Sequence, residues 1–294
     1  MYKTIEFLIN KKNSGERLDV FLSKKINNFT RSYIKKLIEK NNVKLNKIIN
    51  TSPSTKIKTN DKITVNILDE ISTTIVPSKI KLDIIYEDKD LLIINKPKGM
   101  VVHPGAGNHK DTTGLLVIAK NNLTHSNLGK QFSDHSIKRK YQCLVWGVIR
   151  PLSGRIETLI TRNKKNRQLM TVSEINGKKA ITNYKTIKVF NIKDIPKISL
   201  LECELETGRT HQIRVHLKYK GTSLLGDKQY GKKNIKFKRI NNEFFLKLNK
   251  LSGQALHAKT LEFVHPKTKK WMSFNSELPD GFKKILNLLE NLSS

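Results

Sequence analysis

Acidic residues are scarce in this chain. Against 56 Lys and Arg stand only 25 Asp and Glu, a formal charge of +31, and a field of that sign concentrates polyanions, nucleic acid foremost. Cysteine is scarcer still. Cys143 and Cys203 stand far apart in apolar runs without CxxC or His–Cys spacing, which excludes a disulfide framework and a zinc knuckle and leaves buried free thiols as the expectation. Long apolar runs are lacking, since no segment approaches the roughly 18 residues of a membrane span. The opening "MYKTIEFLIN" has no basic region followed by an apolar stretch, so a cytoplasmic protein without membrane contact is expected. Arginine is rare too: ten of the 56 basic residues are Arg. Part of the lysine excess is compositional drift, so the positions where a planar fork is kept carry more information, Arg209 and Arg214 among them.

What is present divides in two. At 294 residues, 37% of them hydrophobic, the chain is long enough for a small module and a larger one, each with a core. In the first, "GERLDVFLSKKI" places Leu18, Phe21, Leu22 and Ile26 at helical spacing after a frayed start. Next, "TRSYIKKLIEKNNV" offers Thr30 as an N-cap and sets Tyr33, Leu37 and Ile38 on one side. "VKLNKII" and "KITVNI" then alternate as short strands. Two basic helices followed by strands resemble the S-four-type RNA-binding domain. The resemblance implies residues 1–68 as that domain, with Arg17, Arg31, Lys35 and Lys36 as RNA contacts, and 69–79, "DEISTTIVPSK", as the linker.

From Ile80 to Ser294 strand-like runs dominate: "LLIIN", "LLVIAK", "YQCLVWG", "ISLLECELE", "KTLEFVHP" and "WMSFNSEL", with a helix at "GFKKILNLLENL". They come in clusters, without strict strand–helix alternation. That pattern predicts an α+β domain with a mixed, mainly antiparallel sheet.

The chemistry concentrates in "ETGRTHQIRVH". Thr207 and Gly208 form a turn presenting Arg209, with Gln212, Arg214 and His216 expected on one face of the following element. A guanidinium so placed can clamp a carboxylate and hold it ionised. His211 and His216 stand five apart, a spacing that suits a metal on neither a helix nor a strand, and no metal is expected.

In order, "INKPKGMVVHPGAGN", "KDTTGLLVIAK", "KRKYQCLVWG", "LETGRTHQIRVHL", "LLGDKQYG" and "QALHA" resemble the motifs of the RluA-type pseudouridine synthases, most of all the subgroup that acts on 23S ribosomal RNA of the large subunit. The resemblance implies isomerisation of uridine to pseudouridine without cofactor or metal, through one nucleophilic aspartate acting on a nucleotide flipped from its stack. The substrate would be 23S RNA, free or in an assembling large subunit, and the protein is expected as a monomer. By the same resemblance Arg209 is the clamp, Tyr141 the aromatic that packs on the base, and His103, His211, Gln212 and Arg214 are RNA contacts.

One departure bears directly on the chemistry. In the family, His-Arg-Leu-Asp precedes "KDTTG" and supplies the nucleophile; here Lys110 follows "GAGNH". A segment about a helix and a strand long is lost with it. Asp111 aligns with the motif's second, noncatalytic acid, and as the surviving candidate it would have to slide two residues. That is several ångströms along an extended chain, against a site tolerance of roughly half an ångström. The alternatives are a noncatalytic RNA-binding or ribosome-assembly protein, or codons lost from the sequence.

Overall fold

A computed structural model describes residues 2–26, 31–68, 80–102, 111–193, 195–231, 242–251 and 253–293. The chain falls into two compact units, Met1–Lys79 and Ile80–Ser294. The expected linker 69–79, the Thr30 cap and His103 lie outside the described residues.

In the smaller unit the start is not frayed: β1 (Tyr2–Leu8) pairs along its full length with β4 (Lys62–Leu68). Helices α1 (Leu18–Lys25) and α2 (Arg31–Glu39) follow, then β2 (Val43–Leu45) and β3 (Ile48–Ile49). Asn46 and Lys47 join these last two with φ of 52° and 69°, the double left-handed step that a two-residue hairpin demands. The antiparallel sheet runs β1-β4-β2-β3. Leu18, Phe21, Leu22 and Ile26 are buried as their spacing predicts, and they meet Ile34, Leu37, Ile38, Val43, Ile57, Ile63 and Val65 in one core.

The larger unit is built on an eleven-stranded sheet. Its strands are β5 (Ile84–Glu87), β6 (Leu91–Lys96), β7 (Thr113–Ala119), β8 (Lys138–Trp146), β9 (Ser153–Arg162), β10 (Met170–Ser173), β11 (Lys178–Phe190), β12 (Ile198–Leu205), β13 (Ser223–Leu224), β14 (Leu256–Val264) and β15 (Trp271–Asn275). The order is β10-β9-β11-β12-β8-β14-β7-β6-β5, with β13 on β8 and β15 on β14. Every pairing is antiparallel except the short β7–β14 contact. This is the mixed, mainly antiparallel sheet the clustering of strands predicts.

Among the described residues the helices of this unit are α3 (Asn122–Ser133), α4 (Gln212–Tyr219), α5 (Asn242–Lys250) and α6 (Asp280–Ser293). Phe244 of α5 and Phe282, Ile285 and Leu289 of α6 join Trp146, Phe190 and Leu225 in one core, each large apolar side chain contributing roughly 1.5 to 3 kcal/mol. Cys143 and Cys203 are buried free thiols on neighbouring strands, their sulfurs 4.0 Å apart. No helix among the described residues is long and apolar enough to cross a membrane.

The topology sets up the site. Strand β8 lies between β12 and β14, so Tyr141 stands between Cys203 of β12 and Ala258 of β14, and Ala258 in turn pairs with Gly114 of β7. Gly114 is what lets β7 and β14 approach: its φ is +104°, and a Cβ there would collide with the Ala258 backbone.

Candidate active site

Strand alternation places Arg139 and Tyr141 of β8 on one face. Both line a cavity of about 330 Å³ whose other walls include Lys96, Thr112, Thr113, Gly208 and Arg209. Burial pushes the Tyr141 hydroxyl above its ordinary range, opposed in part by Arg139. Tyr141 is half-buried on the cavity wall.

The stretch from 207 to 216 is held by an internal network. Gln212 is buried: its Oε1 accepts from the Thr207 hydroxyl at 2.7 Å and from the Arg209 backbone N–H at 2.9 Å, while its Nε2 donates to the Ile181 carbonyl and the Thr182 hydroxyl. Arg209 is thereby fixed at its backbone, and its Nε donates to the Lys179 carbonyl at 2.8 Å. No acid among the described residues pairs with its guanidinium.

Arg214 is committed elsewhere. It makes a bidentate pair with buried Asp227, at 2.8 and 2.7 Å, and its guanidinium lies over the Tyr230 ring at 4.6 Å. Burial pushes the Asp227 carboxyl up, but Arg214 and the backbone N–H groups of Tyr230 and Gln229 more than offset this and hold it below its ordinary range. His211 caps α4 from the left-handed region, φ 57°, with Nδ1 2.8 Å from the Tyr230 hydroxyl.

The expected shared face of Gln212, Arg214 and His216 gives way to helical geometry. Residues four apart share a side of α4, so Gln212 and His216 both reach Thr182 while Arg214 points to Asp227. His216 lies between the hydroxyls of Thr182 and Thr158, and burial drops its pKa to about 4. His257 spans Thr113 and Ser276 in the same way, also pulled to about 4 by burial. Because the Ser276 hydroxyl donates to the Ala258 carbonyl, His257 must be protonated at Nε2 and accept from Thr113 at Nδ1. It thus locks β14 to β7 beside the cavity.

Asp111 does not face Arg209. Its side chain packs against Gly253, where an added Cβ would come within 2.8 Å of it, and against the Lys98 stem. It lines a neighbouring pocket with Lys96, Lys98, Asn95 and Gln254. Lys96 lines both spaces; burial lowers it to about 8, with Asp111 pulling the other way. Asp111 is therefore next to the cavity, one residue from Thr112 on its wall, and makes no hydrogen bond or salt bridge among the described residues.

In the smaller unit, Arg17 and Arg31 converge on one carboxylate. Asp19, 4% exposed, receives Arg17 at 3.0 Å and Arg31 at 2.8 Å. Lys35 and Lys36 are exposed on α2, and Lys35 approaches Glu39 at 3.6 Å.

Lys96, Arg139, Asp227 and His257 stand inside motifs quoted above without having been given a role, Arg139 with the further signal of a rare Arg in a lysine-rich chain, while Asp19 stands in none of those motifs.

Residues 109–219 match the RNA pseudouridylate synthase family, and residues 16–63 match the S4 domain. The chain is 40% identical to ribosomal large subunit pseudouridine synthase D of Buchnera aphidicola subsp. Schizaphis graminum, covering 94% of this chain and 95% of that one. It is 35% identical to the RNA pseudouridine synthase YlyB of Bacillus subtilis, covering 98% of each. That second alignment runs over 320 positions, more than the 294 residues of this chain, so the relative contains residues with no counterpart here. Among solved structures, Human RNA Pseudouridylate Synthase Domain Containing 4 shares the fold, with a TM-score of 0.55 at 23% identity over 70% of this chain and 92% of that one. With relatives of this identity spanning nearly its whole length, the chain belongs to the RluA-type RNA pseudouridine synthases and carries an S4 domain at its N-terminal end.

Proposed function

We propose that this chain isomerises uridine to pseudouridine in 23S ribosomal RNA, free or in an assembling large subunit, as a monomeric, cofactor-independent step of ribosome biogenesis in the cytoplasm. The observation that carries the reading is the cavity shared by Tyr141, Arg209 and Lys96, an aromatic platform and cations in a recess of nucleotide size. In the reaction the bond from N1 to C1′ breaks, the base turns, and a bond from C5 to C1′ forms. The proton lost from C5 is balanced by one gained at N1. Tyr141 packs on the trapped base, and Arg209 clamps the attacking carboxylate. Of the acids left to this chain, Asp111 is the candidate, and it reaches Arg209 only if it leaves Lys98 and Gly253 for the cavity side of Lys96. The relatives' names supply the RNA, and the charge of +31 and the S4 domain agree with it.

A second reading, RNA binding without chemistry, is favoured by one specific observation. The described cavity walls contain no carboxylate, and neither 103–110 nor 232–241 has an Asp or Glu in its sequence. In this reading the segment lost between Gly107 and Lys110 took the nucleophile with it. Incubation with unmodified precursor 23S RNA, read by pseudouridine-specific chemical stops, separates the two. The first reading expects stops with the native chain and none with Asp111→Asn. Stops with neither protein, beside retained RNA binding, leave the second. Stops with both remove Asp111 from the chemistry.

A further inference from the structure

Arg139 has no part in the isomerisation proposed for this site, yet it lines the same cavity. Its Nε is sealed from water and has no hydrogen-bond partner. No acid among the described residues pairs with its guanidinium, whose one ring contact is with Phe132 at 5.3 Å, itself 38% exposed. A half-buried cation without a counter-ion costs free energy that a structural role does not return. Burial indeed lowers its pKa, against a smaller opposing effect of Tyr141.

The fold nevertheless makes room for it. Gly208 lies against the guanidinium: a Cβ at 208 would stand 2.5 Å from one terminal nitrogen. The φ of Gly208 is outside the left-handed region, so what a side chain there would disturb is the placement of the guanidinium and not the backbone. The neighbouring Lys140 of β8 does not share this situation, since it approaches Glu202 and Glu204. Arg214, a buried guanidinium lining the same cavity, is fully paired by Asp227. The cavity thus holds one neutralised guanidinium and two, Arg139 and Arg209, with no acid opposite them.

We propose that Arg139 is a phosphate-recognition residue of this cavity, its planar fork taking the phosphodiester of the nucleotide whose base packs on Tyr141 and so selecting a polynucleotide over a nucleoside. This rests on the cavity being a nucleotide site. A guanidinium fork matches two phosphate oxygens, and the anion supplies the missing counter-ion. The same contact would position the ribose, because the phosphate, the sugar and the base are joined through few bonds.

The test titrates uridine and uridine 3′,5′-bisphosphate into the full chain by calorimetry. The native protein is expected to prefer the bisphosphate by about tenfold or more, the worth of one charge-assisted pair. Arg139→Gln should cut that preference to about twofold, and Arg139→Lys should keep part of it. Gly208→Ala should act like Arg139→Gln although no charge is lost, since its Cβ displaces the guanidinium. The melting temperature of Arg139→Gln should stay level or rise, because a poorly compensated cation is removed; a clear fall would make Arg139 structural and overturn the proposal. Preference retained in both Arg139→Gln and Gly208→Ala would also overturn it, leaving the nucleotide cavity intact. If neither probe binds the native chain, the cavity itself is misread and both proposals fall.

Discussion

Two pairs of arginines, one in each unit, are treated in opposite ways. Arg17 and Arg31 of the smaller unit share buried Asp19, while Arg139 and Arg209 of the larger one line a cavity without an acid. A guanidinium with an internal carboxylate has its orientation fixed and much of its charge spent. One without keeps its charge for whatever enters. The lesson is that counting basic residues says little about where an anion binds, and that local compensation decides it.

Arg214 sharpens this contrast because it stands in the same cavity as Arg139 and yet is compensated. Asp227→Ala leaves its guanidinium 8% exposed with the Gln229 side-chain oxygen but no counter-ion, and it also strips the acceptor of the Gln229 and Tyr230 backbone N–H groups. Breaking one side of such a buried pair costs about 3 to 5 kcal/mol. Urea unfolding of Asp227→Ala should show a loss of that size, and Arg214→Met with Asp227→Asn, whose amide oxygen still accepts the two backbone N–H groups, should recover most of it. If the single variant loses no more than a surface ion pair would, the contrast between spent and free guanidiniums fails.

Acid attacks the neutral side of the same architecture. His216 and His257 have pKa values near 4 in the fold against an ordinary 6.5, both because of burial. The unfolded chain therefore binds the extra proton more readily, so their contribution is complete above about pH 6.5 and is lost as pH falls toward 4. At pH 5 the loss is about 2 kcal/mol per histidine. Urea midpoints at pH 7 and pH 5 measure it, and His216→Asn should halve this part of the difference. An unchanged slope in the variant would mean that His216 is charged in the fold.

Much of this was legible in the sequence where the signal is local. Leu18, Phe21 and Leu22 declared their helix by spacing, and the six apolar runs from "LLIIN" to "WMSFNSEL" all became strands. Long β11 went unread because "KKAITNYKTIKVF" buries Ala180, Ile181 and Thr182 in a row, exposes Ile187 and Val189, and shifts register between Thr186 and Lys188, which dilutes a period of two. The site was harder because its partners are distant. Thr113 meets His257 across 144 residues, and Arg214 meets Asp227 across a helix and a turn. "LLGDKQYG" and "QALHA" could be recognised as motifs, but the pairs they serve, Arg214 with Asp227 and Thr113 with His257, exist only in the folded chain, the second only after β14 has docked on β7. Arg139 needed no folded structure to be noticed. The criterion applied to Arg209 and Arg214, an Arg kept where lysine is the default, applied to it equally.

The smallest expected effect returns to Asp19. Its two arginines are about half exposed, at 48% and 57%, so water replaces most of what the carboxylate gave them, and Asp19→Asn should barely move the stability of the smaller unit. The electrostatic consequence is more telling. Arg17 lowers the Asp19 carboxyl most, followed against burial by Arg31, so near neutral pH Asp19 carries a full negative charge that cancels one of theirs. Its removal frees one cation for a phosphate, and the slope of log affinity against log salt for single-stranded RNA should steepen by roughly 0.7. Arg31→Gln in the Asp19→Asn background should reverse the change, since it takes back the freed charge. A slope that stays flat in Asp19→Asn would show that these guanidiniums meet no phosphate, and the smaller unit would then bind RNA through lysines such as Lys35 and Lys36 alone.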